Sequence, residues 1–243
     1  MLLLELPSSE PAGYLAWEDA LLDTVEDGGD EVLWFWESQK HFVVVGYSQQ
    51  VLREVDVDAC RSLGFPVLRR SSGGGAVLQG PGCLNYGVAL RAHHDGPLGT
   101  IPGANREILS RVASAIAPMM TGEIRIEGHT DLTAPSADGP RRKFSGNAQR
   151  RKRNSLLFHG TFLLNLDLDL VSRTLRPPSL APDYRAGRDH GSFIQNLPLD
   201  PHQVRVSLRD AWEAHTALQS VPVERQKLAL TERYSREDWN RRR

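Results

Sequence analysis

Three consecutive glycines, residues 73–75, separate two short apolar runs that each have the composition of a β-strand. A glycine inside regular structure costs about 0.5–1 kcal/mol relative to alanine, so three in a row between strands require a reason. One reason is a hairpin turn that needs positive φ. The other is a ligand that lies against bare backbone, whose N–H groups then face a phosphate or a carboxylate. The preceding residues 69–72 (RRSS) favour a ligand, because guanidinium and hydroxyl groups beside free amides form an anion site.

The rest of the apolar pattern mixes helices with strands. Amphipathic periodicity predicts helices over 14–26, 56–63 and 104–117, and a pattern resembling a capping box predicts a helix over 207–218. β-Branched and aromatic runs predict strands at 2–4, 31–38, 41–46, 67–68 and 156–165, and alternation predicts a half-buried strand at 84–90. Because the strands follow one another as hairpin-like pairs rather than as βαβ units, we expect an α+β fold with a mostly antiparallel mixed sheet flanked by helices.

Composition restricts the class of protein. The chain has 243 residues, a formal net charge of −1 and 40% hydrophobic residues, which is typical of a soluble globular protein. We expect a single domain over 1–243. The two cysteines, Cys60 and Cys83, are too few for a disulfide framework and suit a reducing cytoplasm, where we place the protein. The apolar run at 2–4 is short and has no basic residue before it, so we expect neither a signal peptide nor a membrane span.

A second candidate region is strongly basic: residues 140–153 read PRRKFSGNAQRRKR, and seven of the thirteen residues from 141 to 153 are Lys or Arg. A solvated loop is the simplest interpretation of such a run, and nucleic-acid binding is the usual functional one. The near-neutral net charge and the lack of interleaved aromatic side chains argue against nucleic acid. Small residues at 145–147 predict a turn beside Lys143, where its ammonium can be held at a site while the flanking arginines face solvent or an acidic partner.

Four spaced motifs carry a family signal. They are RRxSGGGAV at 69–77, TDL at 130–132, RKxSGxAQ at 142–149 and HGT at 159–161. In this order they resemble lipoate-protein ligase A and its relatives in the superfamily of biotin/lipoate ligases and octanoyltransferases. The resemblance runs from about residue 2 to the tail at 234–240, and it implies a central sheet flanked by helices with a buried acyl chain.

The resemblance also implies a reaction. Such ligases activate lipoate or octanoate with ATP to an acyl-AMP and transfer the acyl group to a lysine of a lipoyl domain, which we expect to be acidic. Mg²⁺ would bridge the ATP phosphates, with no dedicated protein metal site. Lys143 would be the catalytic residue, and Asp131 would lie near the nucleotide and its metal. The residues implied to bind the acyl-adenylate are Arg70, Ser72, Gly73, Gly74, Gly75, Ala76, Val77, Asp131, Ser145, Gly146 and His159, the last being equally a candidate core histidine.

Departures from the ligase pattern leave other reactions open. Gln79-Gly80 stands where ligases usually carry His-Asp, and the sequence GPG at 80–82 resembles octanoyltransferases. Those transferases use a cysteine thioester, whereas Cys60 is predicted to be core and Cys83 lies at neither position that they use. An acyl transferase that takes octanoyl or lipoyl groups from a carrier without ATP is therefore one alternative. A non-catalytic acyl-binding homologue is another. We expect no C-terminal accessory domain, so a separate small subunit is a candidate partner.

Overall fold

The computed structural model describes residues 1–7, 9–137 and 139–242, which form two β-sheets packed against helices. The strands are β1 (Leu2–Glu5), β2 (Val32–Trp36), β3 (Phe42–Val45), β4 (Val67–Arg69), β5 (Val77–Gln79), β6 (Cys83–Arg91), β7 (Arg125–Glu127), β8 (Asp131–Ala134), β9 (Arg142–Arg151), β10 (Ser155–Leu163) and β11 (Thr216–Ala217). The helices are α1 (Pro11–Glu26), α2 (Val51–Glu54), α3 (Val57–Leu63), α4 (Ile101–Ile116), α5 (Leu168–Thr174), α6 (His190–Phe193), α7 (Pro201–Ala211), α8 (Val223–Ala229) and α9 (Glu237–Asn240). Within these residues no helix has the length and apolar character needed to cross a bilayer.

Strand pairing in both sheets is mostly antiparallel. The larger sheet has the order β11-β1-β2-β6-β10-β9-β8-β7, in which β1 pairs in parallel with both of its neighbours and the other pairs are antiparallel. The smaller sheet has the order β4-β3-β5, with β4 parallel and β5 antiparallel to β3. The expected α+β fold with a mixed, mostly antiparallel sheet and flanking helices is confirmed.

The larger sheet is covered on both faces. On one face Leu84 and Val88 of β6 pack in a core with Ile108 of α4 and Val204 of α7, and on the other face Ala89 packs with residues of α1. The predicted half-buried strand is therefore wrong in one respect, since residues 83–90 are all buried. On the second face, Ala89 packs against α1, and the missing side chain of Gly87 leaves space for the ring of Trp34 on β2.

Helix α7 corrects another prediction. The capping box at 207 was expected to start a helix ending near 218, but the helix begins after Asp200, whose side chain accepts a hydrogen bond from the His202 N–H, and ends at Ala211. Asp at the N-cap followed by Pro201 at the first helical position is the stronger start signal, because the proline has a suitable φ and no amide hydrogen to leave unpaired.

The basic segment is a strand, which the sequence did not predict. Residues 142–151 form β9, which pairs with β8 over 142–146 and with β10 over 145–151, so that Ser145 and Gly146 are paired on both sides. The register shifts between Leu132 and Thr133, which pair with Ser145 and Lys143, so Phe144 is the extra residue of a β-bulge. The expected turn at 145–147 is wrong because pairing on both sides overrides the weak strand propensity of its small residues.

Candidate active site

A cavity of about 620 Å³ is lined by residues of both sheets. Nine of the twelve residues predicted for the site line this cavity: Arg70, Gly74, Gly75, Ala76, Val77, Asp131, Lys143, Gly146 and His159. The other three do not line it. The Ser72 hydroxyl is hydrogen-bonded to His159, Gly73 follows Ser72 in the same loop, and Ser145 is buried within β9. Segments far apart in sequence therefore meet in one place.

The glycine loop, residues 71–76, presents bare backbone at this cavity. Gly74 has a φ of +87°, a conformation that other residues rarely adopt. The loop also passes very close to β3, since a Cβ at Gly46 would lie 2.1 Å from the Gly74 carbonyl oxygen. Among the described residues, none accepts a hydrogen bond from the N–H of Gly73, Gly74 or Gly75. These amides are therefore available to an anionic ligand, as the sequence suggested.

The Arg70 side chain stabilises the glycine loop through hydrogen bonds. Its Nε donates to the Ser72 hydroxyl (3.1 Å) and to the Gly73 carbonyl (3.0 Å), and its Nη2 donates to the Gly75 carbonyl (2.8 Å). Burial lowers the pKa of Arg70 to about 10, so the guanidinium is still charged at neutral pH. Most of its donors bind loop carbonyls instead of forming the open fork that the sequence suggested. Its charge nevertheless faces the cavity.

Arg69 is fully buried and joins the loop to the C-terminal segment. Its Nη1 donates to the carbonyls of Gly46 and Gln49 (2.8 Å each), and its main chain binds the side chains of Asn240 (3.0 Å) and Trp239 (2.9 Å). Sequence reasoning missed this contact, because 170 residues separate the partners and Arg69 has the same local signal as Arg70.

His159 connects the cavity wall to a buried carboxylate. Its Nδ1 is 2.8 Å from Glu18 Oε2 and its Nε2 is 2.6 Å from the Ser72 hydroxyl. Glu18 lies on α1 and also lines the cavity. The carboxylate favours a proton on Nδ1, which leaves Nε2 to accept from Ser72. His159 is thus both a satisfied buried histidine and a cavity residue. No sequence motif singled out Glu18, which is marked only by its place on an amphipathic helix.

Lys143 lies on β9, and its ammonium is paired with Asp131 at the cavity wall. Its Nζ is 2.7 Å from Asp131 Oδ1, and the Tyr184 hydroxyl donates to Asp131 Oδ2 (2.7 Å). Burial, with the neighbouring Asp131 charge, raises the pKa of Tyr184, so its hydroxyl keeps the proton that it donates. The Lys143 side chain passes over Gly146, where an added Cβ would lie 2.6 Å from Nζ. Gly146 therefore makes room for the lysine.

Neither cysteine lines the cavity. Both are buried, and burial raises the pKa of Cys60 to about 11 and that of Cys83 to about 12. A thiol with such a pKa is protonated at neutral pH and is a poor nucleophile. The described residues contain no group of three or more His, Cys, Asp or Glu side chains that could hold a metal ion.

A protein-family model and named relatives match most of this chain. The family model for the lipoyl protein ligase A/B catalytic domain matches residues 10–198. Lipoate-protein ligase A subunit 1 from Thermoplasma acidophilum is 27% identical over 183 residues, which cover 73% of this chain and 67% of the relative. Octanoyltransferase LipM from Carboxydothermus hydrogenoformans is 32% identical over 181 residues, which cover 70% of this chain and 66% of the relative.

Solved structures share the fold. A chain from the structure of a bi-partite lipoate protein ligase and its E2 lipoyl domain from Thermoplasma acidophilum superposes with a TM-score of 0.81 at 23% identity, covering 99% of this chain and 94% of that one. Lipoate-protein ligase A bound with ATP superposes with a TM-score of 0.78 at 23% identity, covering 99% and 97%. The resemblance of the four motifs is confirmed: the chain belongs to the family of lipoyl protein ligase A/B catalytic domains and is an enzyme of that family.

Proposed function

We propose that this enzyme is a lipoate-protein ligase that activates lipoate or octanoate with ATP and transfers the acyl group to a lysine of a lipoyl domain. The observation that carries the proposal is the placement of the Lys143 ammonium and of unpaired glycine-loop N–H groups on one cavity. The ATP requirement is supported by a relative of the same fold that was solved with ATP.

The cavity offers separate environments for the two parts of an acyl-adenylate. Leu15, Trp36 and Val44 give an apolar region suited to a hydrocarbon chain. Lys143, the loop amides and the Arg70 charge give a polar region suited to the carboxyl group and the phosphate. An acyl substrate would therefore lie with its chain towards Trp36 and its carboxyl group towards Lys143.

In the proposed first step, a carboxylate oxygen of the acid attacks the α-phosphorus of ATP, and pyrophosphate leaves. In the second step, the neutral amine of the acceptor lysine attacks the acyl carbonyl, the bond to AMP breaks, and the nitrogen releases a proton. Negative charge increases on phosphoryl oxygens in the first step and on the carbonyl oxygen in the second. A fixed ammonium and fixed N–H dipoles stabilise both transition states, and removing one such donor typically lowers the rate about 10²- to 10³-fold.

The site fits ATP better than it fits a resident metal ion. Asp131 is the carboxylate beside Lys143, and both of its oxygens already accept hydrogen bonds. Mg²⁺ would accompany ATP and be held mainly by phosphate oxygens, and Asp131 is the carboxylate beside Lys143 that would help to hold it. It would neutralise phosphate charge when bound.

The proposal is tested by incubating the purified protein with ATP, Mg²⁺ and lipoate or octanoate, and measuring bound acyl-AMP by mass spectrometry. We expect acyl-AMP with the wild-type protein and about 10²-fold less with Lys143→Ala, because the ammonium at the developing charge is lost. Lys152→Ala is the matched control, since Lys152 pairs with Asp23 on α1 and does not line the cavity. Wild-type protein that forms no adenylate with either acid would contradict ligase activity of this chain.

A second candidate function is acyl transfer from a carrier protein without ATP, which the identity to an octanoyltransferase favours. A thioester route needs a reactive cysteine, and both thiols are buried with raised pKa values. Octanoyl transfer from an acyl-carrier donor in the absence of ATP, with a mass increase on Cys83, would establish this alternative.

We also propose a lipoyl-domain acceptor and a separate accessory subunit as partners. A chain of the same fold comes from the structure of a bi-partite lipoate protein ligase and its E2 lipoyl domain, and another relative is named subunit 1. An acidic acceptor surface, a cytoplasmic location and the absence of an accessory domain on this chain stay predictions.

A further inference from the structure

A closed ring of three hydrogen bonds lies in the cavity wall. The Thr161 hydroxyl donates to Asn85 Oδ1 (2.5 Å), Asn85 Nδ2 donates to Gln79 Oε1 (3.0 Å), and Gln79 Nε2 donates to Thr161 Oγ1 (2.7 Å). The three residues come from β10, β6 and β5 and all line the cavity. Gln79 and Asn85 are only 5% and 3% exposed. The ring therefore holds two buried amides in fixed orientations.

The ring leaves two donors without partners. A primary amide carries two N–H groups, and the ring uses one from each amide. No described residue accepts from the second N–H of Gln79 or of Asn85. Exchanging O and N in both amides would reverse the direction of the ring and leave the same number of spare donors. Because unpaired buried donors are costly, they favour a ligand that brings an oxygen acceptor.

The ring lies close to the Lys143 ammonium. Thr161 is directly opposite Gly146 in the β10–β9 pair, and Lys143 Nζ is 2.6 Å from the position that a Gly146 Cβ would occupy. Directly opposed residues have Cβ positions about 4.5–5.5 Å apart on one face of the sheet, so Nζ lies within roughly 8 Å of the Thr161 side chain. The cation and the spare amide donors of the ring therefore face the same part of the cavity.

We propose that Gln79, held by Asn85 and Thr161, donates its remaining amide N–H to a carboxyl oxygen of the bound acyl substrate. This rests on the proposed function, which places that carboxyl group beside Lys143. The donor does not depend on pH, because an amide does not titrate, and it fits an oxygen that is an acceptor in the acid, the adenylate and the transition state. Gln79 is then a substrate-contacting residue that contributes to recognition of the carboxyl end.

Two substitutions test the proposal. Gln79→Met keeps the length and removes the donors, whereas Gln79→Glu keeps the shape and places a charge that repels a carboxylate. Gln226→Met is the matched control, because Gln226 is a buried glutamine on α8 outside the cavity. Octanoate affinity is measured by calorimetry, octanoyl-AMP formation by initial rate, and folding by the thermal midpoint.

We expect Gln79→Met to lower kcat/KM for octanoate activation about 10- to 100-fold, and Gln79→Glu to lower it further. ATP affinity should change little, and the thermal midpoint of Gln79→Met should fall by a few degrees because buried Asn85 Nδ2 loses its acceptor. Gln226→Met should match the wild type in activity. A purely structural role of Gln79 would weaken binding of octanoate and of 1-octanol alike. A carboxyl contact predicts loss for octanoate alone, since 1-octanol has the same chain length without a carboxyl group.

The outcomes separate this inference from the proposed function. Unchanged octanoate affinity and activation rate in both Gln79 variants, with an active wild type, would overturn the inference and leave the ligase proposal intact. A wild type that binds octanoate but forms no adenylate would reject the ligase proposal, and a selective loss of octanoate binding in Gln79→Met would still support the contact. Equal losses for octanoate and 1-octanol would overturn the contact in either case.

Discussion

At the scale of single residues, Gly146 determines where the Lys143 ammonium lies. Its missing side chain leaves the space that the lysine crosses to reach Asp131. A methyl group there would lie 2.7 Å from Lys143 Cε, which is too close for two carbon atoms. The lysine is flexible and can move away, so the effect is expected on activity more than on folding.

We predict that Gly146→Ala lowers the rate of acyl-AMP formation at least about 10-fold, because the ammonium is displaced from the developing charge. The thermal midpoint should fall by only a few degrees. Gly96→Ala is the control, since the nearest atom to its added Cβ is 3.5 Å away in a loop outside the cavity. Full activity of Gly146→Ala would show that Lys143 need not occupy this position.

At the scale of elements, the Asp19 side chain connects α1 to the glycine loop, to β9 and to the C-terminal segment. This buried carboxylate on α1 accepts from the Ser71 hydroxyl (2.5 Å), from Arg150 of β9 (2.7 Å) and from Arg233 of the π-helical turn Leu230–Tyr234. The loop is therefore fixed by contacts from a helix, a strand and the C-terminal segment together.

We predict that Asp19→Ala lowers the free energy of unfolding by about 1–3 kcal/mol, because the partly exposed guanidinium groups of Arg150 and Arg233 and the Ser71 hydroxyl lose their shared buried acceptor. Urea denaturation measures the change. Asp23→Ala, one helical turn later, removes the partner of Lys152 in a half-exposed pair and should cost at most about 1 kcal/mol. Equal effects of the two substitutions would contradict a special role for Asp19.

At the scale of the whole molecule, buried thiol and phenol groups make the free energy of unfolding depend on pH in the alkaline range. The folded state keeps the Cys60 proton up to a pKa of about 11 and the Cys83 proton up to about 12, whereas the unfolded thiols ionise near 9. Above pH 9 the unfolded chain loses protons that the folded chain retains, which favours unfolding. Burial also raises the pKa of Tyr86, which acts in the same direction.

We predict that the free energy of unfolding is constant with respect to these thiols below about pH 8 and falls as the pH rises from 9 towards 12. Urea midpoints at successive pH values measure this slope. Cys83→Ala should lower stability near neutral pH by leaving a cavity, and it should make the alkaline slope smaller, so that its deficit relative to the wild type narrows as the pH rises. A slope that is unchanged in Cys83→Ala would mean that this thiol ionises normally in the folded protein.

Local sequence signals predicted the elements that depend on a few neighbouring residues. The helix predicted over 56–63 is present as α3, and Asp56 caps it, because a cap needs only residues within one turn. The α+β class followed from apolar periods of two and of 3.6 residues. The motifs around Lys143 and the glycine loop were also identified, since each of these cavity segments is contiguous in the chain.

The sequence by itself determined the class of fold, the family and the glycine and lysine segments, because each is encoded in periodicity or contiguous motifs. Only the tertiary structure showed that β9 is a strand, since its strand character comes from pairing with β8 and β10. The same holds for Glu18 beside His159 and for the ring of Gln79, Asn85 and Thr161. Such groups come from separate elements, and sheet register and helix packing, which no local pattern encodes, bring their side chains within hydrogen-bond distance.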